Sequence, residues 1–346
     1  PNTENILAVA ASVSTPDTVF FGSQAVGFSL GGIWRCVNTD CVQKADVSVA
    51  DTVQALAVSP HTPTTIYAGS QVYGVLKSTD NGENWVQVNT GLSGDALNVR
   101  RLIMDPQRPG HIYAGTRGAG VYMSTDGGTN WQAINTNFPF NDSGLRNVGA
   151  LSLYQPESGL PILYAGTQGS GVFKTTAGDP AQVNWVSIND GLPSLLGNLI
   201  FSVVDVTVMA AHPDKPAQQY GAGTGGCFIP FVCPTGGYLP GVWRRIDPNN
   251  WLQLGHNGIN EYDPQANSPN VSTGLSNMQI YDLVFDPLDG ERMYVAAGDG
   301  VYLSEDEGLS WSKQDTGLPG GLQANVLAMH PLKLFMGTSQ GLFLAN

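Results

Sequence analysis

The stretch IYAGSQVYGVLKSTDNGENWVQVNTGL, residues 66–92, indicates the fold class because close copies of it recur along the chain. The clearest copies are IYAGTRGAGVYMSTDGGTNWQAINTNF at 112–138 and MYVAAGDGVYLSEDEGLSWSKQDTGL at 293–318. More divergent copies occupy 163–192 and 219–254, while VFFGSQAVGFSLGGIWRC opens the series at 19–36 and LFMGTSQGLFLAN closes it at 334–346. The chain therefore contains seven related units, and internal repeats of this kind indicate a repeat architecture.

Each unit is read as four short β-strands. A short apolar run such as VQALAV or VRRLIM comes first, the IYAG strand second, GVYMS third, and a strand that begins at tryptophan fourth. No unit shows sustained helical periodicity. Seven units of roughly 41–50 residues with four strands each predict an all-β fold, a seven-bladed β-propeller of four-stranded antiparallel blades.

The repeat predicts one propeller domain over residues 1–346. Its units run over about 5–49, 53–92, 98–138, 147–192, 202–275, 279–318 and 324–346. The seventh unit stops where its fourth strand should start, so the last blade is predicted to be incomplete. Three explanations stay open: the protein extends further, the blade has three strands, or a partner donates a strand to this edge.

The motif Ser-x-Asp-x-Gly-x-x-Trp lies between the third and fourth strands. An aspartate that caps backbone N–H groups and a glycine with positive φ suit a tight turn, and an indole suits packing between blades. These residues are therefore predicted to be structural, with no catalytic residue among them. The predicted structural positions are Ser78, Asp80, Gly82, Trp85, Ser124, Asp126, Gly128, Trp131, Asp247, Trp251, Ser304, Asp306, Gly308 and Trp311.

This motif, together with the IYAGT…GVYMSTDGGTNW pattern, resembles the Asp-box or BNR repeat over nearly the whole chain. The resemblance implies a propeller like those of bacterial sialidases, xyloglucanases, sortilin-type receptors and a photosystem assembly factor. Because those families differ in activity, it implies no single function. It also implies that the loops joining strand four to strand one and strand two to strand three share one face, opposite the Asp-box turns.

Composition excludes some partners. The formal net charge of −13 argues against nucleic acid and anionic membrane surfaces, which offer no countercharge to an acidic protein. No segment is predicted to span a membrane, since the most apolar region, 192–211, is broken by Pro193, Gly197, Asn198 and Asp205.

The four cysteines form two close pairs, Cys36 with Cys41 and Cys227 with Cys233. Their spacing does not fit a zinc site, so two local disulfides are favoured over free thiols, and no metal or cofactor is predicted. Disulfides would place the protein outside the cytosol, as a secreted, periplasmic or cell-surface protein. Cys36 falls at the position of the motif serine, where a disulfide would hold the same turn.

Two regions are candidates for binding. The loop 224–240 carries Phe228, Phe231 and Tyr238, which either contact a partner or cap the channel. The first strands line the channel, and their alignment places Arg101, Asp205 and Asp282 in one column. The next column holds Gln54, Arg100, Tyr281 and Asn325. Either Arg–Asp bridges join the blades in a hydrated channel, or a small anionic or polar ligand binds at its mouth.

Features of propeller enzymes are missing. Sialidases would show an arginine followed by Ile-Pro, whereas Arg35 is followed by Cys36, and the opening segment FFGSQAVGFSLGG lacks the acid of xyloglucanases. All seven tryptophans belong to the repeat, which leaves none as a sugar platform. The predicted function is a non-enzymatic extracellular or cell-surface module that binds another protein or self-associates through its open edge. The alternative is a glycan-active hydrolase or lectin that takes a polysaccharide on the loop face.

Overall fold

The protein is described by a computed structural model with side chains. The described residues are 5–12, 18–24, 31–38, 40–45, 51–138, 147–190, 192, 194–195, 201–202, 204–225, 241–245, 251–254, 275, 279–314, 316–330 and 333–345.

Seven antiparallel sheets follow one another along the chain, and we number them blades 1 to 7. Within each blade the strands are hydrogen-bonded in chain order. The strands of blades 1 to 3 are β1 Ile6–Ala11, β2 Thr18–Ser23, β3 Ile33–Val37, β4 Asp40–Ala45, β5 Val53–Val58, β6 Ile66–Ser70, β7 Val75–Ser78, β8 Val86–Gln87, β9 Val99–Met104, β10 Ile112–Thr116, β11 Val121–Ser124 and β12 Gln132–Ala133.

Blades 4 to 7 continue the series, with a two-stranded hairpin, β17 and β18, between blades 4 and 5. Their strands are β13 Val148–Tyr154, β14 Ile162–Thr167, β15 Gly171–Thr176, β16 Val186–Ser187, β17 Ser194–Leu195, β18 Phe201–Ser202, β19 Val204–Ala211, β20 Gln219–Gly225, β21 Gly241–Arg245, β22 Trp251–Leu254, β23 Ile280–Asp286, β24 Asp289–Ala297, β25 Gly300–Ser304, β26 Ser312–Lys313, β27 Ala324–His330, β28 Lys333–Thr338 and β29 Gly341–Ala345. Short 3₁₀ turns cover Gly94–Leu97 and Pro180–Gln182.

The first strands of the seven blades form a closed ring. Each contacts the first strand of the next blade, and β27 contacts β1, so blade 7 packs against blade 1. The side chain of Asn325 reinforces this closure by donating to the carbonyl of Ile6 at 3.0 Å. The prediction of a seven-bladed, all-β propeller is confirmed. Six blades have four strands, and blade 7 has three within the part of the chain described here.

Apolar side chains fill every junction between blades. Seven clusters of buried residues are present, one at each junction of the ring. At the junction of blades 3 and 4, Trp185 meets Phe138 edge-on with ring centroids 5.0 Å apart. The core is thus divided among the junctions, as expected when each blade buries its faces against its two neighbours.

A repeated asparagine fastens the fourth strand of blades 2, 3 and 4 to the turn before the third strand. In blade 3, Asn135 Oδ1 accepts from Val121 N at 2.8 Å, and its Nδ2 donates to Ala119 O at 2.9 Å. A Cβ on Gly120, which has φ +82°, would lie 2.4 Å from this amide. Glycine is therefore required by both its backbone angle and the close approach. The equivalent asparagines are Asn89 in blade 2 and Asn189 in blade 4.

Candidate functional site

Every first strand carries a β-bulge near the point where it begins. One extra residue is inserted there, at the same height in each blade. The bulged residues are Leu7, Gln54, Arg100, Gly149, Thr207, Tyr281 and Asn325. They surround one end of the central channel, which we call the channel mouth.

A ring of mostly polar amide side chains lies just outside the bulges. Two residues before each bulge the chain has Asn5, Thr52, Asn98, Asn147, Asp205, Gln279 and Gln323, and we call these seven residues the mouth ring. In six blades the carbonyl of the mouth-ring residue accepts a hydrogen bond of 2.9 to 3.2 Å from a backbone N–H in the turn between strands two and three. That bond holds the ring and the turns in one rigid surface.

Where blades 7 and 1 meet, the bulge residue Asn325 joins two amides of the mouth ring by hydrogen bonds. Gln323 Nε2 donates to Asn325 Oδ1 at 2.9 Å, and Asn325 Nδ2 donates to Asn5 Oδ1 at 2.6 Å. A third hydrogen bond completes the series, in which Asn5 Nδ2 donates to Gln24 Oε1 at 2.6 Å. An amide that uses one donor and one acceptor in this way keeps further sites for a ligand.

Positive charge collects on the blade 3 side of the mouth. Burial, helped by the guanidinium groups of Arg117 and Arg101 and opposed by Asp205, lowers the pKa of Arg100 to about 10. The Nε atom of Arg100 is buried and has no hydrogen-bond partner among the described residues. Arg117 is exposed. Burial raises the pKa of Asp205, against a hydrogen bond from Gly169 N–H and the charge of Arg100.

Arg101 and Asp282 lie deeper, at equivalent positions directly after the bulges of blades 3 and 6. Arg101 reaches across the channel, where its Nη2 donates to the carbonyl of Thr207 in blade 5 at 3.0 Å. Asp282 accepts from Leu283 N at 2.9 Å and Leu327 N at 2.7 Å. Burial lowers the pKa of Arg101 and raises the pKa of Asp282 to about 6, and the attraction between the two charges opposes both shifts.

Asp205 does not share the column of Arg101 and Asp282, contrary to the sequence alignment. It precedes the bulge at Thr207 by two residues and belongs to the mouth ring. The extra residue of the bulge causes the error, because it shifts the register of an otherwise regular strand. Gln54, Arg100, Tyr281 and Asn325 do share one column, as predicted.

The channel holds a cavity of about 160 Å³ below the mouth. Arg101, Asp282, Gln54, Tyr281 and Asn325 contribute its polar lining, and aliphatic side chains from four blades supply the rest.

The Asp-box residues lie in the turns between strands three and four, away from this mouth. In blade 3, Ser124 Oγ donates to Asp126 Oδ1 at 2.9 Å and accepts from Gly128 N at 2.9 Å. Asp126 also accepts from Asn130 N at 2.9 Å. The same bonds recur around Asp80 in blade 2 and Asp306 in blade 6. Both oxygens of each aspartate accept hydrogen bonds inside its own turn, as the predicted structural role requires.

Cys36 forms a disulfide with Cys41 in blade 1. Cys36 pairs with Val19 as Ser78 pairs with Ile66, so the disulfide does occupy the position of the motif serine. Phe228, Phe231, Tyr238, Cys227, Cys233 and Asp247 lie outside the described residues, and their predicted roles stay predictions.

Sequence reasoning missed the basic residues of the third strands. Arg35, Lys77 and Arg244 each contact the Asp-box turn of the next blade, through Glu83, the Gly127 carbonyl and Glu307 respectively. All three occupy the same position in the repeat, directly before the position of the motif serine. This shared position was the sequence pattern that could have revealed them.

Within the described ranges, no cluster of three or more side chains could hold a metal ion. The same ranges include no helix with the length and apolarity needed to cross a membrane.

Comparison with known proteins identifies relatives by shape only. No protein-family model and no curated protein matches the sequence. Among solved structures, YCF48 bound to a D1 peptide matches with a TM-score of 0.61 and 17% identity, over 99% of this chain and 92% of that one. The GH74 enzyme of Niastella koreensis matches with a TM-score of 0.68 and 18% identity, over 99% of this chain and 52% of the enzyme.

The extracellular domain of a putative one-component system from B. thetaiotaomicron also matches. Its TM-score is 0.64 at 13% identity, over 99% of this chain and 38% of that one. At identities this low the likenesses show the propeller fold alone, and the three proteins differ in what they do.

Proposed function

We propose that the protein is a non-enzymatic binding module that holds a segment of another protein over the channel mouth. The observation that carries this proposal is the mouth ring, in which six of seven blades present an uncharged polar side chain at one height. Amides donate and accept at once, as a peptide backbone does, so such a ring suits an extended segment better than it suits a substrate that must be activated.

Charge at the mouth favours an acidic segment. Arg100 and Arg117 lie beside the ring in a protein of net charge −13. The buried Nε of Arg100 lacks a hydrogen-bond partner in the described structure, and a carboxylate of the partner would supply one. YCF48, which has the same fold, was solved with a bound peptide, and this supports a protein partner.

A location outside the cytosol belongs to the same proposal. The Cys36–Cys41 disulfide supports it, because structural disulfides persist in oxidising compartments.

The proposal is tested with a random-peptide display library panned against the purified protein. Kd values of the enriched peptides are then measured by fluorescence polarisation for the wild type and for Arg100→Gln/Arg117→Gln. We expect acidic peptides whose Kd rises at least tenfold in the double variant. The control is Arg292→Gln in β24, near the opposite end of its strand, which should leave Kd unchanged. Lack of enrichment, or equal Kd values in all three proteins, would refute a peptide site at the mouth.

A glycan-active hydrolase is the second candidate, favoured by the shape of the GH74 enzyme. The carboxylates near the channel argue against it. Both oxygens of Asp282 accept backbone N–H groups, which makes this carboxylate a poor nucleophile. Incubation of the protein with a panel of β-glucans and xyloglucan distinguishes the two functions. Hydrolysis by the wild type that disappears in Asp205→Asn would establish a glycan hydrolase and refute the non-enzymatic binding function.

A further inference from the structure

The ring of residues directly after the bulges is apolar except at two places. Five blades have a small aliphatic residue there, namely Ala8, Ala55, Ala150, Val208 and Val326. Blades 3 and 6 instead have Arg101 and Asp282, which carry opposite charges. A break in a repeat that costs burial energy is where function is expected, because the repeat itself shows that alanine or valine satisfies the fold.

These two charges do not form an ion pair with each other. The ion pairs found among the described residues, all with N···O distances up to 4.0 Å, do not include Arg101 with Asp282. Both nevertheless line the same cavity of about 160 Å³. Opposite charges that line one cavity and make no ion pair within 4.0 Å of each other can both be contacted by a small group bound in that cavity.

Backbone hydrogen bonds hold each charged group in place and leave it spare capacity. Arg101 donates to the carbonyls of Arg100 at 2.9 Å and Thr207 at 3.0 Å, which uses two of its five N–H groups. Asp282 accepts two backbone N–H groups and keeps two of its four lone-pair sites. The geometry therefore presents a fixed donor and a fixed acceptor of opposite charge.

The remaining lining sets the size and polarity of what fits. Aliphatic side chains, among them Val9, Leu56 and Leu327, face the cavity. Its volume is near the roughly 150 Å³ of an engineered cavity that holds benzene, so a ligand of about six heavy atoms fits.

We propose that this cavity binds a small zwitterion, an α-amino acid with a short aliphatic side chain. Its carboxylate meets Arg101, its ammonium group meets Asp282, and its side chain lies against the aliphatic wall. Gln54, Tyr281 and Asn325 border the cavity at the mouth end, where the ligand enters. This site is separate from the peptide site of the proposed function, and each can fail without the other.

The first experiment trims the ligand and leaves the protein intact. Isothermal titration of the purified full chain compares alanine and valine with propionate, which lacks the ammonium group, and ethylamine, which lacks the carboxylate. We expect saturable one-to-one binding of an amino acid and a Kd at least tenfold weaker for both trimmed compounds. Absence of saturable heat with every amino acid, or equal Kd values for alanine and propionate, would overturn the proposal.

The second experiment assigns each charge of the ligand to its residue. Arg101→Gln should abolish the difference between alanine and ethylamine, and Asp282→Asn should abolish the difference between alanine and propionate. Arg292→Gln and Asp289→Asn, in β24 outside the cavity, make the same chemical changes and should preserve both differences. A uniform loss of affinity for all ligands in the two cavity variants would contradict the assignment. If either variant fails to fold, the trimmed ligands still decide the matter on the wild type.

Discussion

The motif tryptophan makes different hydrogen bonds at different junctions of the ring. The junctions of blades 2 with 3 and 3 with 4 differ in this respect from the junction of blades 5 with 6. Trp131 and Trp185 donate their indole N–H to carbonyls of the preceding blade, those of Val88 at 2.8 Å and Ile134 at 2.5 Å. Trp311 donates instead to Gly308 in its own turn at 2.9 Å. Of these three indoles, the first two link one blade to the next by a hydrogen bond, as Trp251 of blade 5 does through the Ile188 carbonyl of blade 4 at 2.7 Å.

Where the indole N–H bonds within its own turn, a glutamate of that turn forms the ion pair to the preceding blade. Glu307 in blade 6 contacts Arg244 at 3.2 Å and also Lys215, both in blade 5. Blade 2 behaves in the same way: Trp85 donates to Gly82, and Glu83 contacts Arg35 at 2.6 Å. At the five junctions compared, a polar link accompanies the apolar core: an indole hydrogen bond at three of them and an ion pair at the other two.

Removal of the indoles should have the largest effect on the free energy of unfolding. Trp185 is 3% exposed, so Trp185→Ala should lower the free energy of unfolding by about 3–5 kcal/mol. Trp85 is half-buried, and Trp85→Ala should cost only about 1–2 kcal/mol. Guanidinium denaturation measures both. Substitution by phenylalanine removes the indole N–H together with part of the ring. Trp185→Phe, which breaks a bond between blades, should lower stability more than Trp85→Phe, which breaks a bond within one turn, and equal losses would contradict a role for the bond between blades.

A second difference concerns the asparagine that fastens blades 2 to 4. Asn135→Ala leaves a half-buried N–H and a carbonyl without partners, so the free energy of unfolding should fall by about 2 kcal/mol. Gln314 in blade 6 offers a surface control, because it aligns with Ile134, one position before the asparagine, and its side chain is exposed. Gln314→Ala should change stability by less than about 0.5 kcal/mol. A comparable loss in both variants would contradict the role of the asparagine.

The smallest effect is expected at the ion-pair link. Hydrogen bonding and attraction to Lys215, with further attraction from His212 and Arg244, lower the pKa of Glu307 despite its burial. A lowered pKa means that the stabilisation is present above the unfolded-state value near 4.3 and is lost as the pH falls below it. Glu307→Gln should cost about 1 kcal/mol at pH 7 and less in high salt. Between pH 7 and pH 3 the Tm should fall less in the variant than in the wild type. An equal fall of Tm in both proteins would show that Glu307 does not stabilise this junction.

The sequence predicted most of the fold because glycine, tryptophan and the apolar runs repeat with the blades. It also placed Arg101 and Asp282 in equivalent positions. It misplaced Asp205, because VVDVTV alternates so regularly that nothing marks Thr207 as the extra residue. A bulge depends on how a strand pairs with its neighbour, and a single strand does not reveal that pairing.

The mouth ring was within reach of sequence reasoning and was overlooked. A polar mouth-ring residue precedes the apolar run in six units, as Asn98 precedes VRRLIM and Asn147 precedes VGALSL, whereas Asp205 lies within VVDVTV. Aligning the apolar runs alone hid this column. The glutamate links were less accessible, because Glu83 and Glu307 occupy different positions in their turns and reach cations on another unit.

The bulges have a consequence for how this surface can diversify. Each one sets a single residue apart from the regular pairing of its strand, so its identity can change while the strands around it stay as they are. Leucine, glutamine, arginine, glycine, threonine, tyrosine and asparagine all occur there in one molecule. A lineage of such proteins can therefore alter what the channel mouth recognises one blade at a time. Gly149, where a Cβ would lie 2.7 Å from the Val206 carbonyl, and Asn325, which helps to close the ring, are the two bulge positions that the scaffold restricts.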